Sequence, residues 1–343
     1  MKVIVFDVPA DTGGALTILK QYYEVAMNDK INTWCFIIST PELLEADKVK
    51  VLRFPWVKKS WFHRLYFDKF VAHKIVKLYQ ADEVLSLQNV IVEGVTCKQT
   101  LYLHQSLPFV EKRYRITEDF KFWVYQNLIS RIIFKSIRKA DTVIVQTKWM
   151  KDVCVEKLRV APEKFQVIQP NVNVKVKKSY KQENEDNKLF FYPANGLVYK
   201  NHKIIVEAAM LLKLQKIVNF RIAFTIKGNE NSNVKKLYGD VKRHTLPIDF
   251  IGQISLEEVY DYYSKSILIF PSYIETFGLP LLEAKMHGSP ILASDCTFSH
   301  EILEGYEKVE FFDPFDSEDL SHKIVEILEQ SDRNIREQTV ELK

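Results

Sequence analysis

Two glutamates eight positions apart flank a predicted helix start late in the chain. Glu275 precedes and Glu283 follows the segment Phe277–Leu279, which comes soon after the apolar run Ile267–Phe270. Carboxylates accept hydrogen bonds from hydroxyl groups, and the free backbone amides at a helix N-terminus attract an anion. The pair therefore suits the two ends of an elongated, polyhydroxylated ligand that carries an anionic group. The spacing alone is common by chance, so the prediction depends on the surrounding residues.

The elements that must position these glutamates predict an α/β architecture. In each half an apolar run opens into a glycine-containing loop and then a helix: Lys2–Val8 leads to Gly13 and Gly14, and Leu189–Tyr192 leads to Gly196. Later apolar runs alternate with helical periodicity, which predicts parallel sheets with helices on both faces. The other predicted strands are Thr33–Ser39, Glu83–Leu87, Thr100–Leu103 and Thr142–Gln146, then Arg221–Ile226, Ile248–Ile251, Ile267–Phe270 and Ile291–Ala293.

Length and polarity predict two domains. A chain of 343 residues can bury two separate cores, and the polar, highly charged stretch at 171–188 reads as a linker. We predict an N-terminal Rossmann-like domain at residues 1–170 and a C-terminal Rossmann-like domain at residues 189–343. The last helix, predicted at Ser317–Gln330, could pack back on the N-terminal domain. Because such sheets bind ligands at the carboxyl ends of their strands, both domains are expected to line one cleft.

Composition excludes several other classes of protein. With 47% hydrophobic and 27% charged residues the chain is typical of globular proteins. Its four cysteines form no CxxC pair, which argues against a disulfide framework or a zinc site and favours a reducing compartment. No signal-peptide pattern and no apolar run of transmembrane length is present. We expect a cytoplasmic protein, with a peripheral position on the inner face of the membrane left open.

The charge distribution suggests an anionic partner for the first half. Residues 1–170 have a net charge of +8 and the remainder −4, for a total of +4. Between Val57 and Tyr79, six basic residues and one acidic residue are interleaved with aromatic side chains, a composition that suits an anionic membrane surface. An aromatic helix packed on the sheet with its lysines in water is an equal alternative. No nucleic-acid recognition motif accompanies the charge, so nucleic acid is not an expected partner.

The residues between and after the two glutamates make the segment specific. With Phe-Gly-Leu-Pro inside and Ala284 following, it resembles the E-x7-E motif of retaining glycosyltransferases of family 4, which have the GT-B fold of two Rossmann-like domains. The resemblance implies that Glu275 bonds the hydroxyls of the donor sugar and that Glu283 bonds the ribose hydroxyls of the nucleotide. The amides implied to lie near the sugar and pyrophosphate are those of Phe277, Gly278 and Leu279.

The loop after Leu189–Tyr192 resembles the phosphate-binding loop of the same family. Lys200 matches the family's phosphate-binding lysine, and Gly196 opens the loop. Family members commonly place an arginine after that glycine, whereas this chain has Leu197, so a leaving diphosphate would lose one cationic partner. Lys227 is a candidate replacement.

Three residues of the first half also match the family. Gly13 and Gly14 resemble the N-terminal glycine loop, where a side chain would collide with the donor or the acceptor; an ordinary turn is the alternative. His104 follows a predicted strand and matches the histidine beside the donor sugar, although a lone histidine is more often structural.

Together these matches imply retaining, metal-independent transfer of a sugar from a UDP- or GDP-linked donor to a hydroxyl of a glycan or lipid-linked oligosaccharide, in surface polysaccharide synthesis. The domain at residues 1–170 would bind the acceptor, and the domain at residues 189–343 would bind the nucleotide sugar. Glu275, His104 and Lys200 would be the catalytic residues. No metal and no other cofactor is expected, because no Asp-x-Asp pair follows a strand and helix N-termini with a lysine can replace the cation. The alternatives are a nucleotide-sugar epimerase or a phosphorylase of the same fold, and a catalytically inactive GT-B-like binding subunit.

Overall fold

The computed structural model describes residues 1–11, 13–171, 174, 176–181 and 187–341, with side chains as far as residue 329. The chain forms two compact units, residues 1–172 and residues 173–343. The predicted linker at 171–188 lies partly outside the described residues. Asn171 belongs to the first unit, where its carbonyl accepts from the side chain of Gln21. The later described residues belong to the second unit, because the amides of Tyr180 and Lys181 donate to the carbonyls of His287 and Ser264.

The first unit is built on one parallel sheet. Its strands in chain order are β1 Lys2–Asp7, β2 Thr33–Ile38, β3 Val49–Arg53, β4 Glu83–Ser86, β5 Lys98–Tyr102, β6 Thr142–Val145 and β7 Phe165–Val167. Their order across the sheet is β3-β2-β1-β4-β5-β6-β7, so the connection reverses direction between β1 and β4. The edge strands β3 and β7 are absent from the sequence prediction. Both are short and half exposed, so they lack the continuous apolar run of a buried strand.

Helices cover both faces of this sheet. They are α1 Gly13–Asn28, α2 Trp61–Tyr66, α3 Ala72–Tyr79, α4 Phe120–Val124, α5 Ser130–Lys139 and α6 Lys148–Leu158. A π-helical turn at Phe67–Val71 joins α2 to α3, and a second one at Tyr125–Ile129 joins α4 to α5. Each pair is therefore one longer helix with a local widening.

Alternate residues of β1 pack into two different cores. Val5 faces Leu19 of α1, whereas Phe6 faces Phe67 on the opposite side of the sheet. All four side chains are at least 99% buried. Burial of each such side chain contributes about 1.5–3 kcal/mol, and the double coverage explains why β1 reads as an unbroken apolar run.

The second unit contains the second parallel sheet. Its strands are β8 Lys188–Tyr192, β9 Phe220–Phe224, β10 Ile248–Phe250, β11 Ile267–Phe270, β12 Ile291–Ser294 and β13 Val309–Phe312. Their order is β10-β9-β8-β11-β12-β13, with the reversal between β8 and β11. Strand β13 is absent from the sequence prediction because only Phe312 of it is fully buried. Both sheets are parallel, so the predicted α/β class is confirmed.

The helices of this unit are α7 His202–Leu214, α8 Ser232–Arg243, α9 Leu256–Tyr263, α10 Leu279–His287, α11 Thr297–Ile302 and α12 Ser317–Glu341. Helix α12 is longer than the sequence predicted and packs against α7. Leu320, Ile324 and Leu328 are its buried apolar side chains among those described, and Ser321 is buried beside them. Packing of this helix on the N-terminal domain stays a prediction.

The cysteines of the described chain are free thiols, in agreement with the sequence argument against a disulfide framework. Cys35 and Cys154 are buried, and Cys97 and Cys296 are partly exposed. Among the described helices, none combines the length and the apolarity that crossing a membrane requires.

Candidate active site

The two loops that carry Lys200 and Glu275 follow neighbouring strands of the second sheet. Strand β8 pairs directly with β11 in parallel, and the strand order reverses between them: β9 and β10 lie on one side of β8, and β11, β12 and β13 on the other. Such a reversal opens a crevice at the carboxyl ends of the strands, where α/β sheets bind ligands. The two loops therefore begin at the position in the second unit where a ligand site is expected.

Lys200 is held by the backbone around it. It ends a short 3₁₀ turn, Val198–Lys200, and the next residue, Asn201, takes a left-handed conformation with φ of 59°. Asparagine tolerates that conformation better than most residues, which explains the Lys-Asn sequence at this point. The hydroxyl of the buried Tyr192 donates to the carbonyl of Lys200 at 2.6 Å. This hydrogen bond fixes the backbone of Lys200, from which the side chain extends.

Hydrogen bonds also tie the Lys200 loop to the Glu275 loop. The side chain of Asn201 donates to the carbonyl of Pro271 at 3.3 Å, and the carbonyl of Tyr199 accepts from the Ser272 hydroxyl and the Tyr273 amide, each at 3.3 Å. These contacts join residues some seventy positions apart. The two loops consequently form one structural element.

Lys200 and Glu275 form an ion pair at the centre of this element. The Lys200 Nζ donates to Glu275 Oε1, and each side chain is only 15% exposed. A charge so deeply placed is stable only with a counter-charge or strong hydrogen bonds. The pair holds an ammonium, which can bind phosphate, beside a carboxylate, which can bind hydroxyls. The structure thus brings together two of the three residues predicted to be catalytic.

The predicted helix start between the two glutamates is confirmed. Helix α10 begins at Leu279, with Gly278 as its N-cap residue and Pro280 in its first turn. Gly278 has φ of +90°, a conformation that favours glycine, and a Cβ there would also lie close to the side chain of Leu281, at 3.2 Å. Phe277 is buried beneath the turn. Because Gly278 has no side chain, the first amides of α10 are capped by no side chain at that position.

Glu283 lies one turn into α10 in a largely buried position. Burial raises the pKa of its carboxyl to about 7, and a hydrogen bond from the Tyr263 hydroxyl, 3.1 Å from Oε2, opposes that rise. The carbonyl of Glu283 contacts Nδ1 of the buried His287 at 2.7 Å. A carboxyl in this state changes charge near neutral pH, unlike an ordinary surface glutamate.

Gly196 has a packing role in addition to any ligand contact. A Cβ on this residue would lie 2.5 Å from Cγ2 of Val234 in α8, and its carbonyl accepts from the side chain of Asn231 at 2.8 Å. The glycine therefore lets the loop lie directly on the start of α8. Leu197, at the position where the family commonly has arginine, is 41% exposed.

Lys227, the candidate replacement for that arginine, has an exposed side chain whose stem runs beside Gly252. Its backbone amide and the amides of Gly228 and Asn229 all donate to the carboxylate of Glu230. The backbone amides of this connection between β9 and α8 therefore already bind a carboxylate, that of Glu230. The part played by Lys227 toward a ligand stays a prediction.

The first unit places Gly13, Gly14 and His104 after strands of its own sheet. Gly13 begins α1 with φ of +64°, a conformation that favours glycine, whereas Gly14 has an ordinary φ and no described atom within 4 Å of where a Cβ would be. The turn alone thus accounts for Gly13 but not for Gly14. Both glycines lie near the end of β1, where the sheet order reverses.

His104 follows β5 and is largely buried. Its ring stacks on that of Tyr102 with centroids 4.4 Å apart, and its amide donates to Asn89 Oδ1 at 2.7 Å. Burial lowers the pKa of the imidazole to about 4, partly offset by a hydrogen bond with the backbone of Leu87. The ring is neutral at neutral pH, so it suits hydrogen bonding better than proton donation.

Several supporting residues escaped the sequence analysis. Asn201, Tyr192 and Tyr263 fix the positions of Lys200 and Glu283, yet no motif marks the two tyrosines. The Lys-Asn dipeptide was the available signal for Asn201. Among the described residues, no group of three or more histidine, cysteine, aspartate or glutamate side chains is arranged to hold a metal ion.

The fold is that of a two-unit α/β protein, and the candidate site lies at the carboxyl edge of its second sheet. Residues 174–341 match the family described as glycosyl transferases group 1. This part of the chain is therefore a group 1 glycosyltransferase domain, which confirms the resemblance at the level of the group.

Curated relatives agree with that assignment over part of their length. The O-antigen chain mannosyltransferase RfbU of Salmonella typhimurium is 25% identical over 210 residues, 58% of this chain and 57% of that protein. The sulfoquinovosyl transferase SQD2 of Arabidopsis thaliana is 34% identical over 152 residues, 42% of this chain and 28% of that protein. The matches thus span less than two thirds of these relatives.

Solved structures match over nearly the whole chain. Sucrose-phosphate synthase from Thermosynechococcus elongatus has a TM-score of 0.72 at 16% identity, covering 96% of this chain and 90% of that chain. HepE from Anabaena, solved with UDP and glucose, has a TM-score of 0.66 at 16% identity, covering 94% and 89%. At this identity the likeness concerns the fold, and the predicted GT-B fold is confirmed.

The ion pair yields a prediction about stability. Replacing Glu275 by leucine leaves the Lys200 ammonium without its counter-charge and should cost about 3 kcal/mol of unfolding free energy. The double variant Lys200→Met/Glu275→Leu should be closer to the wild type than the sum of the two single changes. Thermal and urea unfolding of the full chain measure these differences.

The exposed pair Lys203–Glu207 in α7, with side chains 72% and 42% exposed, is the matched control. The corresponding Lys203→Met and Glu207→Leu changes should alter stability by about 0.5 kcal/mol or less. Equal losses for Glu275→Leu and Glu207→Leu would contradict the structural importance of the buried pair.

The raised pKa of Glu283 yields a prediction about pH. Below pH 7 the carboxyl of the folded protein is mostly protonated, and above pH 7 it is mostly ionised and can accept two hydrogen bonds from the ribose diol that the resemblance assigns to it. UDP affinity should therefore rise roughly tenfold between pH 6 and pH 8. Calorimetric titration of the wild type and Glu283→Gln measures it, and a rise of the same size in the glutamine variant would refute the assignment.

Proposed function

We propose that this protein is a retaining, metal-independent glycosyltransferase that moves a hexose from a UDP- or GDP-linked donor to a hydroxyl of a glycan or lipid-linked oligosaccharide in surface polysaccharide synthesis. The observation that carries the proposal is the buried Lys200–Glu275 pair beside the N-terminus of α10. The names of the mannosyltransferase relatives and the nucleotide bound to HepE support the choice of reaction and donor.

In this proposal each part of the donor is bound by a protein group of suitable chemistry. The diphosphate lies at Lys200 and the amides of Phe277, Gly278 and Leu279, with Gly196 giving close approach. The sugar hydroxyls bond Glu275, and the ribose hydroxyls bond Glu283. The arrangement of the second unit supports this division, because an ammonium and a helix N-terminus attract phosphate whereas carboxylates accept from hydroxyls.

The reaction breaks the bond between the anomeric carbon and the diphosphate oxygen and forms a bond from that carbon to the acceptor oxygen on the same face. The acceptor hydroxyl gives its proton to the departing phosphate oxygen. Lys200 stabilises the negative charge that develops on the diphosphate, which is electrostatic catalysis. A bound donor phosphate gives Lys200 a second anionic partner, so Glu275 becomes available to the sugar. Neutral His104 orients the sugar by hydrogen bonding, and Gly14 leaves room for the ligand.

The test begins with nucleotide binding. A thermal-shift panel of UDP, GDP, CDP and ADP should identify the base, since a nucleotide at 100 times its Kd adds roughly 2.7 kcal/mol of stability. Sugar transfer from the matching donors is then followed by chromatography and by NMR of the anomeric proton, with a mannosyl donor first. Glu275→Ala should abolish transfer while nucleotide binding remains. No response to any nucleotide would refute the proposal.

An inactive binding subunit is the second candidate, and Leu197 in place of the family's arginine is the observation that favours it. In that case nucleotide binds but no donor is turned over.

Chelation with EDTA should leave the transfer activity unchanged, because in this proposal Lys200 and the α10 amides take the place of a cation. Loss of transfer on chelation would refute the metal-independent part of the proposal.

We also propose that the first unit contacts an anionic membrane surface through α2. The helix exposes Trp61, Phe62, Leu65 and Tyr66, with exposed fractions of 53–84%. Arg64 of α2 is already paired with Asp68, and Lys58 in the 3₁₀ turn before the helix is paired with Asp11. Apolar insertion therefore contributes more to this proposed contact than the basic residues do.

Vesicle sedimentation tests the membrane contact. Phe62→Ser should lower binding to vesicles of phosphatidylglycerol and phosphatidylcholine about tenfold, because it removes one large apolar side chain from the interface. Leu214→Ser is the control, since Leu214 in the second unit is 81% exposed. Equal binding by Phe62→Ser and the wild type would refute the proposed surface.

A further inference from the structure

A buried tyrosine lies behind Glu283, the residue that the proposed function assigns to the ribose. Tyr263 is the last residue of α9, and its side chain is fully buried. Its hydroxyl donates to Glu283 Oε2 at 3.1 Å. No step of the proposed reaction uses this hydroxyl. The carboxyl of Glu283 thus has a hydrogen-bond donor inside the protein, supplied by the neighbouring helix.

Three contacts hold Tyr263 in place. Its ring packs edge-on against Phe191 of β8, with centroids 5.8 Å apart and planes at 74°. On another side it packs against the ring of His287, the last residue of α10, with centroids 5.6 Å apart. Its carbonyl accepts from the hydroxyl of Ser289. Tyr263 is therefore fixed independently of Glu283, as a residue that orients a binding group must be.

The bond from Tyr263 favours the charged form of Glu283. Burial and the nearby carboxylate raise the pKa of the Tyr263 hydroxyl well above its usual value, so this group keeps its proton and remains a donor. Burial also raises the pKa of Glu283 to about 7, and the hydrogen bond from Tyr263 lowers it. A hydroxyl bonds a carboxylate more strongly than a neutral carboxyl group, which explains the direction of that effect.

The segments packed against α10 bring other titratable groups near Glu283. Burial and Glu283 raise the pKa of Tyr260 in α9, so this hydroxyl is also protonated at neutral pH. The Nδ1 atom of His287 bonds the main-chain carbonyl of Glu283 and not its carboxyl. Strands β11 and β12 contain no titratable side chain. The charged groups of α10, α11 and the segment at 176–181 include Lys285 bonded to the carbonyls of Ile302 and Glu304, Glu301, and the pairs Lys177–Glu257, Lys178–Asp261 and His300–Asp295.

We infer that Tyr263 is a positioning residue for the donor, because its hydroxyl holds the Glu283 carboxylate in the charged form and the orientation that a ribose diol requires. The inference rests on the proposed function, in which Glu283 accepts from the ribose hydroxyls. Tyr263 acts through Glu283 and does not touch the ligand. Removal of its hydroxyl should therefore move nucleotide binding to a higher range of pH instead of abolishing it.

Calorimetric titration between pH 6 and pH 9 tests this role, with UDP or GDP, whichever binds more tightly. Loss of one hydrogen bond to a charged group should raise the pKa of Glu283 by about one unit. Tyr263→Phe should therefore bind the nucleotide about tenfold more weakly than the wild type at pH 6, and within about twofold at pH 9, where both carboxyls are ionised. Tyr262→Phe is the matched control, since the adjacent ring stacks on the same Phe191, and it should follow the wild type.

A second measurement needs no nucleotide. NMR titration of ¹³C-carboxyl-labelled glutamate, with the Glu283 signal identified by its loss in Glu283→Gln, should give a midpoint near pH 7 in the wild type. The midpoint should be about one pH unit higher in Tyr263→Phe. In the wild type the ¹³Cζ signal of Tyr263 should titrate with the same midpoint as Glu283 and stay flat in Glu283→Gln. This last comparison decides the contact even where Tyr263→Phe does not fold.

Three results would overturn the inference. The first is an equal loss of nucleotide affinity in Tyr263→Phe at every pH, which would mean that the hydroxyl is merely structural. The second is an unchanged Glu283 midpoint in Tyr263→Phe, and the third is a Tyr263 signal that does not follow Glu283. If the wild type binds no nucleotide, the proposed function fails, and the two NMR titrations alone decide whether Tyr263 controls the carboxyl.

Discussion

The buried ion pair between Lys200 and Glu275 is the interaction on which the site depends. Both charges lie in a position where neither is stable alone, so the loops that carry them must stay together. The bonds from Asn201, Ser272 and Tyr273 hold the loops in that relation. In the proposed function the pair supplies both groups that a nucleotide sugar requires, a cation for the diphosphate and a hydrogen-bond acceptor for the hydroxyls.

The topology of the second sheet makes this pair possible. Strands β8 and β11 are parallel neighbours because the strand order of the sheet reverses between them. Each loop leaves the carboxyl end of its strand. Lys200 and Glu275, seventy-five positions apart in sequence, therefore lie in adjacent loops. Two glycines permit this arrangement. A Cβ on Gly196 would overlap Val234, and Gly278 has a positive φ and lies close to Leu281.

Much of this could be predicted from the sequence, for identifiable reasons. The central strands read as unbroken apolar runs because helices cover both faces, and the helix start at Leu279 followed from the Gly-Leu-Pro sequence. The edge strands β3 and β7 have no such signal. The pairing of Lys200 with Glu275 and the contact of Tyr263 with Glu283 depend on tertiary packing, so no local pattern marks them. Residues 171–188 read as a linker because they are polar and highly charged, and the contacts of Lys177 and Lys178 could not be predicted because their partners lie far along the chain.

Hydrogen–deuterium exchange with and without UDP tests the central claim most directly, namely that the two loops form one donor site. We predict slower exchange at residues 197–201 and 275–283 together when UDP binds, because one ligand that contacts both loops suppresses their local opening. Lys200→Met should weaken the effect in both segments. Protection confined to one of the two segments, or to neither while UDP is bound, would contradict the account.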